Sequence, residues 1–230
     1  MKKGIGKTIS IIAILTMIFQ LGMPITPLFQ KESFAADTPT ESTDTTEVIS
    51  KNNEIKGEET WDISANGDGS VIAKWTLEDK KLTVSGTGEM KDWKYDVEED
   101  WHNTQYTNII ESVSIEEGIT NIGSYAFSNC SSIESINIPV GVINIKNSAF
   151  SKCSSLDKIK IPEGVTRVGE NAFSGCNNLT SIEIPESLTS ISYYAFSGCS
   201  NLTSIDIPIN VISIGYGAFA GCTNLEKINV

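Results

Sequence analysis

One feature dominates the chain: a 23-residue period that runs to its last residue. Phe127, Phe150, Phe173, Phe196 and Phe219 each follow an alanine and stand three residues before Cys130, Cys153, Cys176, Cys199 and Cys222. Behind each cysteine come an Ile/Leu column (Ile133, Leu156, Leu179, Leu202, Leu225) and two strand columns, Ile136 to Ile228 and Ile138 to Val230. Proline follows at Pro139, Pro162, Pro185 and Pro208, and two further columns, Val142 to Val211 and Ile145 to Ile214, close the unit. Periods of 20–50 residues signal solenoids, in which a unit has no core of its own and buries its columns only against its neighbours. The alternating, β-branched IxI stretch predicts a short strand with one face buried. Proline at its end stops the ladder where a missing N–H costs least. The second column pair predicts another extended segment, and Ala-Phe with its small polar neighbours a tight turn or a single helical turn. Stacked at the ~4.8 Å strand spacing, each column packs on itself.

The run begins imperfectly. Ile110, Val113 and Ile115 occupy the core columns, but Thr107 stands for cysteine and Glu116 for proline, the decay expected where a stack meets its cap. At the other end Val230 falls in a strand column. The last coil is therefore incomplete, and either further polypeptide or a partner is expected to cover it.

The unit AFxxCxx(I/L)xxIxIPxx(V/L)xx(I/V) resembles the BspA-like leucine-rich repeat of bacterial surface proteins, over residues 110–230. Trp75, Leu77, Leu82, the Ser85-Gly86-Thr87-Gly88-Glu89-Met90 stretch and Trp101 resemble the segment that often precedes such repeats. The resemblance implies an exported recognition protein, one of a group in which some members bind host matrix proteins or other cells. It implies no reaction and carries no fixed set of binding residues.

The remaining chain divides by composition. Lys2, Lys3 and Lys7 precede an apolar run from Ile9 to Met23, and small residues follow at Ser33, Ala35 and Ala36. Residues 1–36 thus read as a secretory signal peptide, cleaved to leave no transmembrane segment in the mature chain. Residues 37–60, rich in Thr, Ser, Asp and Glu, read as a disordered acidic spacer. Residues 61–103 form a small N-terminal β cap, with a hairpin of 71–77 and 81–85 joined through Glu78-Asp79-Lys80 and Trp75, Trp93 and Trp101 covering the first coil. Residues 104–230 carry the repeats. The fold expected is a leucine-rich-repeat solenoid, β-rich with short helical turns.

Function is narrowed first by exclusion. The formal net charge is −12, which repels nucleic acid and anionic lipid. His102 is the one histidine, and it has no Ser or Cys partner nearby in sequence. Five cysteines in file, one per coil, cannot converge on a tetrahedral zinc. Parallel Cβ atoms ~4.8 Å apart exceed the ~3.8 Å that a disulfide prefers, so five free, buried thiols are expected. The segment Asp62-Ile63-Ser64-Ala65-Asn66-Gly67 imitates the start of a calcium loop, but Ala73 stands where its bidentate Glu is required. The acidic run Asp96, Glu98, Glu99, Asp100 reads as a solvated loop, and Ser85-Gly86-Thr87-Gly88 lacks the Lys of a phosphate loop. No nucleophile–base pair and no metal cluster stand out, so no enzyme and no cofactor is expected.

Two surfaces remain. The outward strand columns include Lys158, Lys160, Glu183 and Asp206, on the face that repeat arrays use for binding. Aromatic anchors sit instead on the turn before Ala-Phe: Tyr125, Tyr193, Tyr194 and Tyr216. Elsewhere the same positions are polar, so the fold does not demand tyrosine there. The expected role is adhesion to host matrix or cell-surface proteins by a secreted or surface-bound bacterial protein. The alternative is a structural spacer or assembly module that self-associates through the uncapped C-terminal end.

Overall fold

The repeat closes into a β-solenoid. In the computed structural model, residues 55, 57–95, 99–102 and 104–230 are described, and they lie in a unit spanning Lys51–Val230. The expected signal peptide and the spacer as far as residue 54 fall outside the described residues. Fifteen strands are seen among the latter. The first four are β1 (Glu58–Asp62), β2 (Val71–Thr76), β3 (Lys81–Gly86) and β4 (Gly88–Glu89). A 3-10 turn (Asp100–His102) and the one-turn helix α1 (Thr104–Thr107) follow. Then come β5 (Ser112–Ile115) and β6 (Ile119–Ile122). Each later coil contributes a pair: β7 (Ser135–Asn137) with β8 (Asn144–Ile145), β9 (Lys158–Lys160) with β10 (Arg167–Val168), and β11 (Ser181–Glu183) with β12 (Ser190–Ile191). The last are β13 (Ser204–Asp206) with β14 (Ser213–Ile214), and β15 (Lys227–Asn229).

Parallel pairing keeps each column in register. Leu82 faces Val113, Val113 faces Ile136, Ile159 faces Ile182 and Ile205 faces Ile228. In the second ladder Ile122 faces Ile145, Ile145 faces Val168 and Ile191 faces Ile214. The hairpin of β2 and β3 forms through residues 77–80, and β1 adds antiparallel to it. The first strand therefore takes in Glu58, Glu59 and Thr60, at the end of the stretch read as spacer. Strand β3 also pairs in parallel with β5, so it is at once half of the cap hairpin and the first rung of the stack.

The Ala-Phe side forms neither strand nor helix. Successive i+3→i hydrogen bonds bend it (Ala126 N to Gly123 O, Ser128 N to Tyr125 O, Cys130 N to Phe127 O), while other N–H groups reach the next coil. Phe127, Phe150, Phe173 and Phe196 donate to the carbonyls of Ala149, Ala172, Ala195 and Ala218 at 2.7–2.9 Å. A third inter-coil ladder results, made of turns. It takes two left-handed residues per coil, at Tyr125, Ser148, Asn171, Tyr194 and Gly217 and again at Asn129, Lys152, Gly175, Gly198 and Gly221.

Inside, the phenylalanines form one continuous stack, with ring centroids 5.2–5.7 Å apart and planes within 16°. Trp101 extends it at 5.8 Å from Phe127. Its indole N–H donates to the Ala126 carbonyl at 2.8 Å, the acceptor left open at the N-terminal edge of the turn ladder. The cap thus satisfies the backbone as well as covering the rings. The cysteines are free. The Sγ atoms of Cys153, Cys176, Cys199 and Cys222 each donate to the phenylalanine carbonyl of the preceding coil at 3.1–3.3 Å.

Candidate functional site

The sequence-derived site residues fall into three groups rather than one. Lys158, Lys160, Glu183 and Asp206 lie exposed on the face of the first ladder, beside the buried Ile159, Ile182 and Ile205. Lys160 and Glu183 are a 3.2 Å ion pair, and Asp206 accepts a hydrogen bond from Asn229 at 2.6 Å. Such exposed pairs contribute little to stability, so this face offers two lysines in one coil followed by an acidic residue in each of the next two. The other two groups are tyrosine clusters on the turn edge. Tyr125 is half-buried and meets Tyr95 edge-on at 6.1 Å. Three coils away Tyr194 meets Tyr216 edge-on at 5.6 Å, and Tyr193 stands exposed beside them. Ser148 and Asn171 occupy the same left-handed column between the two clusters.

In the second cluster the left-handed column carries a bulky side chain next to glycine. Tyr194 has φ +54°, a region that side chains with a Cβ enter at a cost of about 1–2 kcal/mol. Its ring lies over Gly217, where a Cβ would come within 2.4 Å of it. Glycine there makes room for the ring, and the ring still reaches solvent.

Elsewhere among the described residues, the groups weighed from the sequence are held by their neighbours. In the loop 62–70 the Asp62 carboxylate accepts from the Ser64 N–H, the Ser64 hydroxyl and the Gly69 N–H. Those bonds, the Ser64 side chain first, hold its pKa below the usual carboxylate value. The loop is an Asx-type turn, and the described residues hold no group of three or more His, Cys, Asp or Glu placed to bind a metal. Burial pushes the Cys130 thiol up and the Cys176 thiol to about 12, so neither is a nucleophile at neutral pH. His102 stacks on Trp101 and lies tilted against Trp93, with Nε2 on the Tyr125 carbonyl at 2.8 Å and Nδ1 buried without a partner. It belongs to the cap. No described helix is long and apolar enough to cross a membrane.

One surface escaped the sequence reading. Val140, Ile143, Ile209 and Ile212 are exposed at positions occupied by Glu163, Thr166, Glu186 and Thr189 in the coils between. Its signal in the sequence is the departure of these aliphatic residues from otherwise polar outward columns.

The model of the BspA type leucine rich repeat region matches residues 103–230 in 6 copies. Among solved structures, a leucine-rich repeat protein from Bacteroides ovatus is 27% identical, with a TM-score of 0.46 over 70% of this chain and 52% of its own. A leucine rich cell surface protein from Faecalibacterium prausnitzii is 30% identical, with a TM-score of 0.45 over 70% and 53%. The pneumococcal vaccine antigen PcpA is 26% identical, with a TM-score of 0.43 over 53% and 33%. The chain thus spans about half or less of these relatives. No curated protein matches it.

Proposed function

Because the chain belongs to the BspA-type leucine-rich-repeat family, we propose that it is a secreted or surface-bound bacterial recognition protein. In this reading it adheres non-covalently to a host matrix or cell-surface protein. The family fold is a protein-interaction scaffold, and the similarity to a cell surface protein and to a vaccine antigen supports the location. The contact lies on the turn edge of the last coils, at Tyr193, Tyr194 and Tyr216, with Lys158, Lys160, Glu183 and Asp206 as a second, electrostatic contact on the strand face. Tyr125 forms a separate foothold with Tyr95.

The observation that carries this reading is Tyr194. The repeat sets a left-handed conformation in this column in every coil, and Ser148, Asn171 and Gly217 meet it with small or short polar side chains or none; a ring that remains 37% exposed there is more than the turn needs. Tyrosine is also among the residues that dominate binding hot spots. The test is binding of the purified chain to immobilised matrix glycoproteins and to whole cells, for the parent and for a Tyr193→Ser/Tyr194→Asn variant. Asparagine already stands at 171 in that column, so the fold tolerates the change. Loss of saturable binding by tenfold or more is expected; unchanged affinity overturns the turn-edge reading.

A further inference from the structure

Two outward columns flank the second ladder. One runs Glu117, Val140, Glu163, Glu186, Ile209; the other runs Thr120, Ile143, Thr166, Thr189, Ile212. The core is filled by the inward columns beside them, so the outward ones are free to be polar, and in the first, third and fourth coils they are. In the second and fifth they are aliphatic. Ile209 and Ile212 are 87% exposed, and Val140 and Ile143 are 68% and 47% exposed. Val140 and Ile143 have a coil on either side, so an aliphatic side chain in these columns is exposed within the stack itself.

The two aliphatic pairs lie three coils apart, about 15 Å at the spacing of parallel strands. Between them stand the exposed Glu163 and Glu186. The ion pairs of the array, Lys160 with Glu183 and Lys146 with Glu89 and Asp92, involve neither. Glu170 and Arg167 complete the charged groups of this stretch, and its balance is negative. The surface thus reads aliphatic, acidic, aliphatic along the stack. Exposed apolar groups rimmed by charge mark interaction surfaces, and charge complementarity selects the partner.

We propose that this face binds an extended, cationic polypeptide segment laid along the solenoid axis. Aliphatic side chains at its two ends rest on Val140–Ile143 and Ile209–Ile212, and lysine or arginine between them meets Glu163 and Glu186. At about 3.3 Å per residue the two anchor points are spanned by roughly five residues. This surface is distinct from the turn edge, and the proposal does not depend on the tyrosines.

The test is fluorescence anisotropy with the purified chain and a fluorescein-labelled synthetic peptide carrying two leucines at each end and lysines between. Saturable binding is expected. It should weaken at least tenfold in Ile209→Glu/Ile212→Thr, in Val140→Glu/Ile143→Thr and in Glu163→Gln/Glu186→Gln, and again in about 1 M salt, where screening acts within ~3 Å. The first two variants use the residues that the fourth coil already carries, so the fold is kept, as a thermal melt will verify. A control peptide with glutamate for lysine should not bind. Absence of binding, or equal binding by parent and variants, overturns the proposal. So does loss confined to the Tyr193→Ser/Tyr194→Asn variant, which would place the peptide on the turn edge. A dimer seen by light scattering without peptide, and dissolved by the isoleucine changes, assigns the face to a second copy and also overturns it.

Discussion

The sulfurs of Cys153, Cys176, Cys199 and Cys222 each sit one coil beyond a phenylalanine carbonyl that already accepts a backbone N–H from its own turn. A small apolar side chain with a weak donor suits that place: it fills the column and adds a second bond to the same oxygen. Cys176→Ala should therefore cost about 1–2 kcal/mol in urea unfolding, from the lost bond and the small cavity. Native alkylation should modify Cys222 first, since it alone of the five is only partly buried, and mass spectrometry after unfolding should count five reactive thiols. His102 behaves differently. Burial lowers its pKa below 6.5, with the Tyr125 carbonyl opposing, Asp100 raising it and Lys91 lowering it. The unfolded chain then binds the proton more readily. The stabilisation by neutral His102 is present above about pH 6.5 and is lost as the pH falls toward the folded value. The slope is bounded by ~1.4 kcal/mol per pH unit. Since no other histidine exists, thermal midpoints measured from pH 7 to 5 should fall in the parent and stay flatter in His102→Gln.

At the scale of one coil, the turn side decides how closely neighbours approach. Lys152 has φ +63°, and Gly175, Gly198 and Gly221 hold that column in later coils. Lys152→Gly should raise stability by about 0.5–1 kcal/mol by removing the steric cost of a Cβ in that region. Gly169 answers the opposite constraint. A Cβ there would lie 2.5 Å from the Asn147 Oδ1 and 2.6 Å from its backbone nitrogen, so Gly169→Ala should force two coils apart and lower the urea midpoint by the equivalent of about 1–3 kcal/mol. The strands and the proline stop were legible in the alternation of single units. The turn ladder was not, because its hydrogen bonds run between coils and leave no local pattern.

Across the whole stack, stability is a sum of coil and interface contributions. Phe173 is fully buried between two rings, whereas Phe219 packs on one ring and is partly buried. Phe173→Ala should cost about 3–5 kcal/mol in denaturant unfolding and Phe219→Ala clearly less. Equal losses would mean that the ring stack does not set the stability of the array.

The sequence by itself determined the repeat, the inward columns and the family, because identical residues recurring at one period must stack on themselves. It also marked Tyr193, Tyr194 and Tyr216 as departures from the period. Tertiary structure decided what the period cannot express. Trp101 substitutes for a phenylalanine although it lies 26 residues before Phe127, because a different loop carries it to the same place. Likewise β3 serves both the hairpin and the stack. Side chains that share a column, such as Val140 and Ile209, become a surface only when coils set them a fixed distance apart, and that distance comes from backbone hydrogen bonding between strands.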